Sequence, residues 1–154
     1  MKKSQQLKIQ ISVRDQRLTL RAGRKKVAAY PVSTSRFGLG QASGSFQTPL
    51  GRFRIHQKIG GDQPLNTVFR GRVPVASPSD WEKESDLITS RILWLDGIEL
   101  HNGNTQERFI YIHGTNEEHL IGQPVSHGCV RMRNGDVARL FDLVEAGTEV
   151  EIIG

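Results

Sequence analysis

Leu7, Ile9, Ile11 and Val13 alternate with polar residues along LKIQISV, and that period of two predicts a strand with one buried face. RLTLRAGRKKVAAYPVST extends the pattern as a hairpin that turns at Gly23 and returns over residues 27–32. GRFRIHQKI (51–59) reads as a further strand, GGDQPLN as a turn, and TVFRGRVPV as an interrupted edge strand, because Pro74 has no amide for a central ladder. The polar SPSDWEKESD predicts one helical turn after Pro78. RILWLDGIEL (91–100) and RFIYIHG (108–114) read as buried strands, and TEVEIIG as a closing one. One segment has helical periodicity: Val137, Leu140, Phe141 and Val144 fall at i, i+3, i+4 and i+7, with Asn134 as N-cap and Gly147 as stop. Residues 33–50, rich in glycine and serine, follow neither period and predict a long surface loop. The sum is a mainly β domain with one clear α-helix near the C-terminus.

Composition adds bounds. The chain has 154 residues, enough for a single domain over 1–154. Its 36% hydrophobic fraction, 16 glycines and mean hydropathy of −0.42 predict a thin core with generous loops. A net charge of +5 suits partners that bear carboxylates or other anions. The basic residues are dispersed, with short clusters only at Lys2-Lys3 and Arg24-Lys25-Lys26, so no nucleic-acid partner is expected. One cysteine makes no internal disulfide. MKKSQQLKIQISV lacks the apolar run of a signal peptide, and no stretch reaches transmembrane length. The expectation is therefore a cytoplasmic protein without membrane insertion, or a periplasmic one if a leader has been removed.

The chemistry concentrates in YIHGTN (111–116) and SHGCVRM (126–132), which the short link EEHLIGQPV can bring face to face. A cysteine nucleophile needs a base, oxyanion donors and access to an acyl carbon. His113 can pair with Cys129, the Gly128 and Cys129 amides can donate, and Arg131 adds fixed positive charge. A lone cysteine is also a good buried filler. His113, His119, His127 and Cys129 are all possible zinc ligands, although H-x-C is unlike the usual C-x2-C knuckle. His56 and His101 read as ordinary loop or strand-face residues.

YIHGTNEEHLIGQPVSHGCVRM closely resembles the active-site segment of the L,D-transpeptidase catalytic domain (YkuD-type) family, cysteine enzymes of bacterial peptidoglycan stem peptides. YPVSTS (30–35), QTPLGRF (47–53) and NGDVARLFDLV fall in the family's order. The resemblance implies a β-sandwich-like domain of mixed sheets, with Cys129 as nucleophile, His113 as general base and the Gly114 carbonyl orienting the imidazole. It implies that Ser126 and His127 shape the site, that the Gly128 and Cys129 amides hold the oxyanion, and that Arg131 supports the loop and meets a substrate carboxylate. No metal or other cofactor is called for, and a carbapenem is the expected covalent inhibitor. The implied substrate is a peptidoglycan tetrapeptide or muropeptide, cleaved between diaminopimelate and the terminal D-Ala through a thioester. Because no export signal was found, the expected role is an L,D-carboxypeptidase in muropeptide recycling. The alternative is a transpeptidase that forms 3-3 cross-links or exchanges D-amino acids.

Overall fold

A computed structural model describes residues 6–81 and 83–154, so Lys2-Lys3 lies outside the described residues. Ten strands are joined in one hydrogen-bonded network: β1 (Leu7–Ser12), β2 (Arg17–Ala22), β3 (Lys25–Pro31), β4 (Gly51–Ile59), β5 (Val68–Arg70), β6 (Val73–Val75), β7 (Ile88–Gly97), β8 (Tyr111–Gly114), β9 (Val130–Met132) and β10 (Glu149–Ile153). The order β3-β2-β1-β10-β4-β7 continues through β8 to β9, with β5 and β6 as a side branch on β7. Pairs β1–β10 and β8–β9 are parallel and the rest antiparallel, so the sheet is mixed as expected. Ser33, just beyond β3, exchanges both backbone hydrogen bonds with Arg131 of β9. The two ends of the sheet therefore meet, and the expected facing layers are halves of one curled sheet.

Alternation decides what fills the curl. Ile9 and Ile11 of β1, Leu18 and Leu20 of β2, Phe53 and Ile55 of β4, and Val150 and Ile152 of β10 point into one core. Leu93 and Leu95 of β7, Ile112 of β8, and Val130 and Met132 of β9 join them, with Val137 and Leu140 of helix α1 (Asn134–Leu143). Burying an aliphatic side chain of this size is worth about 1.5–3 kcal/mol each.

Several expectations need correction. The helix begins at Asn134, so its N-cap is Arg133, and the amide of Asn134 is met by Glu118 Oε2 at 2.8 Å. The Asn134 side chain works as a clamp instead: its Oδ1 accepts from Thr89 and Ser90, and its Nδ2 donates to the Thr115 carbonyl. The strand expected over 108–114 starts only at Tyr111, because Phe109 is in a left-handed conformation (φ 56°) that ends the preceding turn. TVFRGRVPV is two short strands around a Gly71-Arg72 turn, not one interrupted strand, with Pro74 on the edge strand β6. The single turn expected after Pro78 is present, with the Lys83 and Glu84 amides on the Asp80 carbonyl. Strand β9 was not anticipated, and the loop over 33–50 is less free than expected, since Ser33, Thr34, Ser35 and Thr48 are buried.

Candidate active site

β8 and β9 run parallel, with His113 opposite Arg131 in register, and this pairing delivers both sequence clusters to one place. Gly114 permits the approach: a Cβ there would lie 2.5 Å from Asn134 Oδ1 and from the Thr89 carbonyl. Gly128 has φ 124°, a conformation open to glycine, and this bends the chain immediately before the cysteine. Ser126 closes the bend, its hydroxyl donating to the Cys129 carbonyl at 2.6 Å and accepting from the Gly128 amide at 3.2 Å. Thr48 ties the same bend to the long loop through a 2.9 Å bond to the Gly128 carbonyl.

Cys129 and His113 line a cleft of about 360 Å³, together with Asp86, Phe46, Phe109 and His127. The thiol donates to the Phe109 carbonyl at 3.3 Å and its sulfur accepts from the Tyr111 amide at 3.3 Å. Burial pushes the thiol up to about 11, against the lowering effect of the Tyr111 amide. His113 is buried, and burial pushes its imidazole down to about 4 although the Gly114 carbonyl favours the charged form. At neutral pH the resting pair is thus a neutral thiol and a neutral imidazole. His113 Nδ1 rests on the Gly114 carbonyl, an acceptor only, so Nδ1 carries the proton and Nε2 is the basic nitrogen.

The remaining predicted residues divide. His127 lines the cleft, exposed, with Nδ1 3.1 Å from Asp86 Oδ2 and its ring against Phe37 and Phe46. The Gly128 amide is taken by Ser126, so the expected pair of oxyanion donors reduces to the Cys129 amide, which meets no acceptor among the described residues. Arg131 does not offer itself to a substrate carboxylate. Its buried guanidinium is held by Asp86 at 2.6 Å and Glu117 at 3.2 Å, because a charge inside strand β9 requires counter-charges. His119 is exposed on a short 3-10 turn, Glu118–Leu120; His56 packs edge-on against Trp94, and His101 meets the Leu50 carbonyl. Asp86, Glu117 and the two phenylalanines were not foreseen. A buried Arg131 would have signalled the carboxylates, had β9 been recognised.

The L,D-transpeptidase catalytic domain family, YkuD, matches residues 6–152. YkuD of Bacillus subtilis (strain 168) is 29% identical over 144 residues, covering 94% of this chain and 64% of that protein. Among solved structures, the L,D-transpeptidase (residues 123–326) from Xylanimonas cellulosilytica superposes with a TM-score of 0.65 at 18% identity, covering 99% of this chain and 63% of that one. LdtMt1 in complex with imipenem gives 0.62 at 19% identity, with 96% and 58% covered. The chain thus spans less than two thirds of the length of each of these relatives. Its match from the first core strand to the last, around a cleft holding Cys129 and His113, assigns it: the chain belongs to the YkuD-type L,D-transpeptidase catalytic domain family of peptidoglycan enzymes.

Proposed function

We propose that residues 1–154 act as one catalytic domain that cleaves the L,D bond of peptidoglycan tetrapeptide stems by acyl transfer to Cys129. The observation that carries the reading is the shared cleft of Cys129 and His113, with the imidazole tautomer held by the Gly114 carbonyl. Cys129 Sγ attacks the carbonyl at the L-centre of the third stem residue, taken as diaminopimelate, and passes its proton to His113 Nε2. The Cys129 amide donates to the oxyanion. Collapse breaks the bond to D-Ala, whose nitrogen takes the proton from His113 Nε2, and leaves a thioester. Both neutral resting forms suit this order of events, since the proton moves only when substrate is in place.

For the acceptor we propose water, which makes the protein an L,D-carboxypeptidase. Water needs no site beyond the cleft, whose volume is at the lower end of the roughly 300–1,000 Å³ typical of ligand pockets. On the same footing we propose cytoplasmic muropeptides in wall recycling as its substrates; their carboxylates suit a chain of net charge +5. One observation favours the second reading, transpeptidation. A concavity of about 380 Å³ shares Asp86 and His127 with the cleft and adds Arg36, Glu117 and Arg131, room next to the cleft for an incoming stem.

Incubation with disaccharide tetrapeptide, with and without excess acceptor amine, followed by mass analysis, tests the reading alongside fractionation of the native protein. D-Ala and tripeptide as dominant products, from a cytoplasmic protein, are expected. Dominant 3-3 dimers or a periplasmic protein would favour transpeptidation. No cleavage of either kind would refute acyl transfer.

A further inference from the structure

Beside the cleft, a surface cluster remains unused by the chemistry above. β5 and β6 are joined by the two-residue turn Gly71-Arg72, and both residues have positive φ, 54° and 65°. Such turns take Asn-Gly or Gly-Gly readily, whereas an arginine there is held against its preference. Its side chain folds back over an aromatic seat: Cζ lies 4.5 Å from the Trp94 ring centroid and 5.2 Å from that of Phe109, and Nη1 donates to the Tyr111 hydroxyl at 3.1 Å. The seat belongs to the backbone that places the nucleophile. Phe109 gives the carbonyl and Tyr111 the amide that contact Cys129 Sγ, and Phe109 itself lines the cleft.

Three other guanidinium groups are engaged. Arg108 donates to the Gly40 and Gln47 carbonyls and to Ser45, Arg131 to Asp86 and Glu117, and Arg91 to the Gln63 and Ser90 carbonyls. Arg72 meets no carboxylate among the described residues. Of its five N–H groups, one is used by the tyrosine, so a fixed, half-buried cation keeps donors for a planar anion.

We propose that Arg72 anchors a carboxylate of the acyl-donor stem peptide at the rim of the cleft. The inference rests on the stem-peptide reading and deepens it, making Arg72 a specificity residue. A bidentate guanidinium–carboxylate pair fixes orientation as well as adding affinity, and the aromatic seat removes the side-chain freedom that an ordinary surface arginine would have to lose. A tetrapeptide bears several carboxylates: that of the glutamyl residue, the side-chain one of the third residue, and the terminal one of D-Ala.

The test is calorimetric titration of the tetrapeptide, and of three analogues each amidated at one carboxylate, onto Cys129→Ala protein with and without Arg72→Gln. Arg72→Gln should weaken the free tetrapeptide about tenfold or more, as expected for hydrogen bonds between charged groups. Amidating one of the three carboxylates should cause a similar loss, and combining the two changes should add little, which identifies the partner. Arg72→Gly should reproduce the loss with an equal or higher Tm, since glycine accepts the positive φ, and this separates anchoring from fold support. An unchanged Kd, a loss of the same size on every analogue, or no binding of tetrapeptide at all would overturn the inference. If binding depends on Arg72 while Cys129-competent protein releases no D-Ala, the anchor stands and the acyl-transfer reading fails.

Discussion

His113 stands on the sheet wall of the cleft, 2% exposed and hydrogen-bonded to its neighbour's backbone carbonyl; His127 stands on the loop wall, solvent-exposed and held by the Asp86 side chain against two phenylalanine rings. A backbone carbonyl in a paired strand does not move or titrate, so the first imidazole keeps one tautomer, and burial keeps it neutral. The second owes its placement to a carboxylate on a left-handed residue, Asp86 at φ 60°, shared with Arg131. Burial and backbone contacts suit a proton carrier, and a side-chain network suits a residue that shapes a mouth.

The largest effect should come from the sheet wall. His113→Gln should lower the rate of D-Ala release by roughly 10²–10⁴-fold, the usual worth of a general base, and His127→Gln by an order of magnitude or less. Equal losses would erase the distinction between the walls.

Acid should find the same asymmetry in stability. Below pH 6.5 an unfolded chain's imidazole binds a proton that buried His113 refuses until about pH 4, so this contribution to stability is lost as pH falls through that window. Its full size is about 3 kcal/mol, as an order of magnitude. Urea unfolding at pH 7 and pH 4.5 should show a smaller acid loss in His113→Gln than in the wild type. An identical pH dependence in His113→Gln and the wild type would contradict the burial argument.

Asp86→Asn probes the loop wall more gently. Arg131 keeps Glu117 but loses its shorter partner, and Asp86 is partly solvated, so a stability loss of about 1–2 kcal/mol is expected. Its kinetic defect should be at least that of His127→Gln, because Asp86 holds both His127 and Arg131. A Tm equal to the wild type would mean that Arg131 does not depend on Asp86.

How much of these walls was legible follows from their construction. His113, Gly114, Ser126, Gly128 and Cys129 form two short clusters whose residue types state their chemistry, and strand β8 carries the first at the end of an apolar run. Asp86 lies 41 residues before His127 within a polar stretch, and no local pattern connects them. β9 is three residues long with a charge at its centre, so alternation over so short a span cannot be distinguished from a loop. Residue type and the helical period that follows predict Asn134 as an N-cap, whereas its clamp on Thr89, Ser90 and Thr115 depends on tertiary contacts. The Gly71-Arg72 turn is hidden for a related reason, since its flanking strands β5 and β6 are three residues each and run together as one pattern.

The smallest expected effect is none. Exhaustive chelation should leave D-Ala release unchanged, with no stoichiometric zinc by elemental analysis; activity lost to chelator and restored by zinc would revive the reading of His113, His119, His127 and Cys129 as ligands.

The central claim is that Cys129 accepts the acyl group, and intact-protein mass analysis after exposure to imipenem, with peptide mapping, tests it most directly. One imipenem-derived mass should be added, located on Cys129, absent in Cys129→Ala and slower to appear in His113→Gln than in His127→Gln. A wild-type protein that gains no mass, or a Cys129→Ala protein that gains the same mass, would contradict it.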